Sequence, residues 1–268
     1  LAANQNHPKA QLLLGEIYYF GEFIARDIKK AIHYFYLAAN QNESEAQFIL
    51  GVIYLEGKYA AHDINKAIYY FSLATNQNYL EAQFNLGKIY LDGKYIDVDI
   101  HKAIHYLTLA ANQNIPKAQY NLGVIFSNGK YISRDINKAI HYFTLAANQE
   151  YLPAQFMLGA FYSEGKYVTR DMNKAIYYFS LAANQNSPEA QYNLGVIYSD
   201  GKYISCDVNK AIHYFSLAAN QEYPLAQFTL GIIYSEGRLV KCDIKKAFHY
   251  FSLAANNNYP QAQFMLGA

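Results

Sequence analysis

Residues 187–221 read SPEAQYNLGVIYSDGKYISCDVNKAIHYFSLAANQ, two helices with their start and stop signals. Ser187-Pro188-Glu189 supplies a hydroxyl cap, a proline where no N–H is needed, and an acid in the positive first turn. Ala190, Leu194, Ile197, Tyr198 and Gly201 then recur at three- and four-residue spacing, which predicts a buried helical stripe. Gly201 ends that helix, because glycine takes the left-handed conformation that other residues resist. A loop from Lys202 to Cys206 follows, with Ile204 pinning it to the core. Asp207 caps a second helix, whose face carries Ala211, Ile212, Phe215, Ala218 and Ala219. Tyr214 and Leu217 lie beside that stripe and are expected to meet the following unit. A helix that is apolar on two sides cannot stand alone, so such pairs must stack.

The rest of the chain repeats this unit. Leu-Ala-Ala-Asn-Gln at residues 1–5 returns at Leu37, Leu109, Leu145, Leu181 and Leu217, and Leu73 and Leu253 begin near copies. The period is 36 residues without an insertion, so 268 residues hold about 7.4 copies. All 15 glycines fall into two registers of this period, and all six prolines mark the entry to a unit. The complete units are expected at 8–43, 44–79, 80–115, 116–151, 152–187, 188–223 and 224–259. Together they predict a single all-α array: a right-handed α-solenoid superhelix of tandem antiparallel helix pairs. Residue 1 falls in the last turn of a second helix and Ala268 inside a first helix, so the array is expected to be cut from a longer one. Its uncovered ends, Ala2 on one side and Met265 and Leu266 on the other, are expected to be able to associate end to end.

Glycine persists in the middle of the first helix, from Gly15 through Gly51 and Gly123 to Gly267. A helix-interior glycine costs about 1 kcal/mol relative to alanine. Its persistence predicts close approach of the partner helix, with Ala31, Ala67, Ala211 and their equivalents facing the gap.

Ala190-Gln191-Tyr192-Asn193-Leu194-Gly195, Tyr198, Gly201, Asp207, Lys210-Ala211, Tyr214 and Ala218-Ala219 resemble the Sel1-like repeat family, a branch of the tetratricopeptide-like helical solenoids. The resemblance covers the whole chain. It implies an adaptor or scaffold that binds other proteins without chemistry of its own. Two departures stand out. The cysteine pair that a secreted bacterial branch carries in each repeat is missing. The glycine often found after the second helix is Asn or Glu here, as at Asn186 and Glu222, so that turn relies on Asn to bend.

Composition narrows the function further. The 22 Lys and Arg balance 21 Asp and Glu for a net charge of +1, leaving no positive field to hold nucleic acid or an anionic membrane. No apolar run reaches the roughly 18 residues of a membrane helix. Two cysteines, Cys206 and Cys242, occupy equivalent loops one unit apart and are read as reduced thiols. The expected compartment is the cytoplasm, with the lumen of the endoplasmic reticulum as the alternative.

His33, His105, His141, His213 and His249 share one register with Tyr69 and Tyr177 and read as an exposed aromatic stripe. Asp97, Asp99, His101 and His105 form the sharpest local group of metal-ligand types. Asp99 is the cap present in every unit, however, and no other unit repeats the group, so no metal, cofactor or catalytic residue is expected. The recurring Asp207–Lys210 pair reads as a cap with a solvated lysine.

In solenoids of helix pairs the first helices line the concave face. The residues that vary there are the candidates for recognition: Asn85, Lys88 and Asp92; Lys117, Asn121 and Asn128; Met157 and Glu164; Asn193 and Asp200. Asn85, Asn121 and Asn193 share a register, and a carboxamide row offers a donor and an acceptor to an extended peptide backbone. The aromatics Phe84, Tyr120, Phe156, Tyr192 and Phe228 alongside suit inter-unit core or groove floor. The expected function is a non-catalytic scaffold or adaptor that binds a protein or peptide segment on this face. The alternative is the regulatory repeat region of a larger enzyme, such as a protein kinase or a component of a ubiquitin-ligase or endoplasmic-reticulum degradation complex.

Overall fold

The computed structural model describes residues 7–21 and 23–267. Leu1, Ala2 and Ala268 lie outside the described residues. Among those described there are fifteen helices and no strand. They pack as two compact units, residues 1–135 and 136–268. The first holds α1 (Pro8–Phe20), α2 (Ile28–Ala39), α3 (Ser44–Glu56), α4 (Ile64–Asn76), α5 (Leu80–Asp92), α6 (Ile100–Asn112) and α7 (Pro116–Asn128). The second holds α8 (Ile136–Ala147), α9 (Leu152–Glu164), α10 (Met172–Asn184), α11 (Pro188–Asp200), α12 (Val208–Asn220), α13 (Pro224–Glu236), α14 (Ile244–Asn256) and α15 (Pro260–Gly267). Within each unit every helix packs on the next, giving an all-α solenoid of tandem antiparallel helix pairs.

Local chemistry explains the boundaries. Each first helix from α1 to α13 ends at a left-handed glycine, as at Gly201 with φ +66°. Ser187 caps α11 by accepting from the Ala190 N–H at 3.2 Å. Asp63 caps α4 by accepting from the Lys66 N–H at 3.0 Å, and its own N–H donates back to the Tyr54 carbonyl at 3.1 Å, closing the loop. The Lys66 ammonium then sits 5.0 Å over the Tyr54 ring, which stacks on Tyr70. The turn after the second helix needs positive φ, supplied by Asn42, Asn78, Asn114, Asn186 and Asn258 and, less comfortably, by Glu150 and Glu222.

The Asp caps make stability pH-dependent. The N–H groups of Lys30, Lys66 and Lys102 hold the Asp27, Asp63 and Asp99 carboxyls below the usual carboxylate range. A carboxyl depressed by folding contributes stability above its unfolded value near 3.9 and loses it as pH falls through the lower folded value. Melting temperature should therefore drop as pH falls below about 4. Asp27→Asn, Asp63→Asn and Asp99→Asn together keep a competent cap and should flatten that drop. An acid slope identical to that of the parent would refute the assignment.

The mid-helix glycine faces a different neighbour from the one expected. A Cβ built on Gly51 would lie 2.6 Å from the Phe71 ring, and one on Gly195 lies 2.6 Å from the Phe215 ring. Gly15, Gly159 and Gly231 meet Phe35, Phe179 and Phe251 in the same way, and Gly87 meets Leu107. The glycine seats a large side chain of the second helix. Small-against-small contact with the alanines is secondary, the Ala31 carbonyl coming only to 3.3 Å from a Cβ on Gly15. The rings so seated (Phe35, Phe71, Phe179, Phe215) are buried at the centre of each pair.

Tyr214 also differs from expectation. It stacks on Tyr198 of its own repeat with centroids 5.9 Å apart, and Leu217 beside it is exposed.

Gln47 ties successive repeats together. Fully buried, it donates to the Ala39 carbonyl of α2 at 3.1 Å and accepts from Gln77 Nε2, after α4, at 2.8 Å. Gln155, Gln191 and Gln227 repeat the arrangement, with Gln185, Gln221 and Asn257 as donors.

Thr75 breaks the pattern. Where the neighbouring repeats place Ala39 and Ala111, its buried Oγ1 has no partner. Thr75→Ala should raise stability by about 1 kcal/mol, read by thermal melting. A loss of stability would mean that the hydroxyl is satisfied after all.

Candidate functional site

The varying residues of the first helices meet the loops that follow them. In the first unit Asn85, Lys88 and Asp92 line one cleft of about 280 Å³ with Leu55, Glu56 and Tyr95. In the second unit Asn193 and Asp200 line a cleft of about 160 Å³ with Ser163, Val196, Ile197 and Tyr203. Adding 108, three periods, to Leu55, Asn85, Asp92 and Tyr95 gives Ser163, Asn193, Asp200 and Tyr203, so both units build the same cleft. Sequence reasoning assembled the helix residues but missed the tyrosine and the wall from the preceding first helix.

The remaining candidates, Lys117, Asn121, Asn128, Met157 and Glu164, line neither cleft. Lys117, Asn128 and Glu164 are exposed, whereas Asn121 and Met157 are half-buried. Asn128 is engaged locally, its Oδ1 accepting from the Lys130 N–H at 2.7 Å.

The carboxamide row is partly spent on its own helices. Asn85 donates to the Glu81 carbonyl at 2.7 Å, Asn121 to Lys117 at 2.9 Å and Asn193 to Glu189 at 2.8 Å. Such i−4 bonds are the usual local alternative for Asn on a helix. What each amide offers a partner's backbone N–H is Oδ1. Lys88 and Asp92 pair at 3.9 Å with both side chains about half exposed, an interaction worth little to stability and free to rearrange.

The aromatics beside the row belong to the core. Tyr192 sits 5.6 Å from Phe215 and 5.6 Å from Tyr223, the last residue of its own repeat, and Phe156 and Phe228 make the Phe215 contact with Phe179 and Phe251.

A further set of residues is the arginine clamp at the loops. Arg170 donates to the Ser163 carbonyl at 2.9 Å and the Glu164 carbonyl at 2.7 Å, placing its charge at the negative end of α9. It also bonds the Tyr203 hydroxyl of the next repeat and lies over that ring. Arg26 reaches Tyr59 in the same way, at 2.7 Å. The sequence signal was the basic residue just before the Asp cap. Cys206 and Cys242 stand in this register as exposed free thiols, their Sγ atoms 3.7 and 3.4 Å from the Ser199 and Ser235 carbonyls.

On the second helices His33, His105, His141, His213 and His249 are exposed beside edge-on tyrosines, as are Tyr69 and Tyr177. Among the described residues no group of three or more His, Cys, Asp or Glu could hold a metal ion. No helix among them is long and apolar enough to cross a membrane.

A family profile described as Sel1 repeat matches residues 8–43, 44–79, 80–115, 116–151, 152–187, 188–223 and 224–259. The chain belongs to the Sel1 repeat family. A Sel1 repeat protein from Oxalobacter formigenes is similar in structure, with a TM-score of 0.79 and 31% identity over 99% of this chain and 77% of that one. The c5321 protective antigen of uropathogenic Escherichia coli, which displays the same repeat fold, gives a TM-score of 0.65 and 26% identity over 99% of this chain and 65% of that one. Comparison with curated proteins gives no match. Sel1 repeat proteins generally mediate protein–protein interaction, and the family is typically non-catalytic.

Proposed function

We propose that this Sel1 repeat chain is a non-catalytic scaffold or adaptor whose first-helix face, concave in solenoids of this kind, binds an extended or helical peptide segment of a partner protein. The observation that carries the proposal is the recurrence of one cleft, Asn–acid–Tyr, in each compact unit, with the Asn and the acid at positions that vary from repeat to repeat. The residues constant from repeat to repeat already have structural work: Asp63 caps, Gly51 seats Phe71, Gln47 joins repeats. The exposed free thiols Cys206 and Cys242 suit a reducing compartment and support placement in the cytoplasm.

The test uses peptides selected by display against the whole chain. Changing Asn85, Asn121 and Asn193 together to alanine should weaken binding at least about tenfold, roughly 1.4 kcal/mol. Melting temperature should not fall, because alanine is the better helix former. Binding that survives these changes but is lost on replacing His105, His141 and His213 would place the interface on the second helices instead.

A further inference from the structure

The first-helix face of the first unit changes character along its length. Where α5 carries Asn85, Lys88 and Asp92, the equivalent positions of α3 are Ile49, Val52 and Glu56, and those of α1 are Leu13, Glu16 and Phe20. The polar cleft on α5 is thus preceded by an apolar groove between α1 and α3, with a volume of about 160 Å³. Phe35 and Ile53 line it as buried residues, and Tyr19, Phe20, Phe48, Ile49 and Val52 complete its apolar lining. Phe20 in this lining is 64% exposed. Isolated exposed apolar side chains are ordinary on protein surfaces, but a contiguous patch opening on a groove marks a contact surface.

The charges at this groove are acidic. Glu16 is part of the wall. Burial and the neighbouring Glu45 carboxylate both push its pKa above the ordinary carboxylate value, so a cation placed there would relieve two costs at once. Glu56 acts on Tyr19 at the same rim. Arg26 also reaches Tyr19, but its guanidinium is engaged by the Tyr59 hydroxyl and lies over the Tyr59 ring.

We propose that the α1–α3 groove is the anchor site of the peptide-binding surface, and that it takes a segment in which an aliphatic or aromatic side chain is followed within a residue or two by Lys or Arg. The apolar side chain enters between Phe20, Ile49 and Val52, and the cation rests on Glu16 and Glu45. The more polar remainder of the segment continues toward Asn85 and Asp92. This inference rests on the first-helix face being the binding surface and adds the chemistry of the partner.

The repeats themselves supply variants that keep the fold. Ile49→Asn, Phe20→Asn and Glu16→Lys each install the residue that another repeat holds in that register: Asn85, Asn128 and Lys88. Helical circular dichroism and melting temperature verify folding for each. The probe is a phage-displayed library of random 12-residue peptides selected on the whole chain, with the selected sequences remade as fluorescent synthetic peptides. Enrichment of an apolar residue next to Lys or Arg is expected. Ile49→Asn with Phe20→Asn, and separately Glu16→Lys, should each weaken binding at least tenfold. Replacing the peptide's basic residue with Glu should restore binding to Glu16→Lys and not to the parent. If the peptides respond to changes at Asn85, Asn121 and Asn193 but not at Ile49, Phe20 or Glu16, the anchor site is wrong and the broader function stands. If no peptide is selected, or only second-helix changes at His105 and His213 matter, both fall.

Discussion

Gly51→Leu is expected to destabilise the first unit by about 3 kcal/mol or more, at the upper end of what overpacking costs. Helix propensity alone predicts the opposite sign, since leucine is the better helix former by most of 1 kcal/mol. The steric term wins because a Cβ alone would already lie 2.6 Å from Phe71 Cδ1 and Cε1, far inside contact distance, and Phe71 is fully buried. The ring shares a buried core with Leu50, Ala67 and Ala74, which leaves it little room to move. In a stacked array the damage is expected first in the affected pair, as faster amide hydrogen exchange in α3 and α4. Equal melting temperatures for Gly51→Leu and the parent would refute the seating of Phe71 on glycine.

Gln47→Leu comes next in size, with an expected loss of about 2–3 kcal/mol. The substitution preserves volume and adds apolar surface, so a purely hydrophobic account predicts a neutral or favourable change. Its cost is that the Gln77 amide loses its acceptor and the Ala39 carbonyl is left with the Asn42 N–H alone, in a site where Gln47 itself is fully buried. Gln77→Ala removes the exposed partner instead and should cost less than half as much, which separates the buried bond from the rim bond. Denaturant titration of the three proteins measures both differences. Parity between Gln47→Leu and the parent would show that the polar link between repeats contributes nothing.

Much of this was legible because the chain repeats. Ser187, Asp207 and Gly201 act within a few residues of themselves, so their types and spacing were enough to place caps and stops. The left-handed turn at Asn186 and Glu222 followed from the missing glycine. What lay beyond the sequence were pairings between distant residues. Gly51 and Phe71 are twenty positions apart, and Gln47 and Gln77 thirty; a constant period shows that each matters but not which partner it meets. The candidate site was legible as helix positions and not as a cleft. Asn85 and Asp92 could be put on one face, whereas Tyr95 from the loop and Leu55 from the preceding first helix enter only through packing. The internal bonds of the asparagines were within reach of local reasoning, since Asn on a helix commonly turns to the carbonyl four residues back.

The central claim is that recognition occupies the first helices while the second helices serve the scaffold. Photo-cross-linking measures this directly. A display-selected peptide carrying a benzophenone side chain is irradiated in complex with the chain, and the adducts are mapped by mass spectrometry. Cross-links should fall on α3 and α5, at residues such as Ile49, Val52, Asn85 and Lys88. Cross-links concentrated on α2, α4 and α6, around His33, Tyr69 and His105, would contradict it.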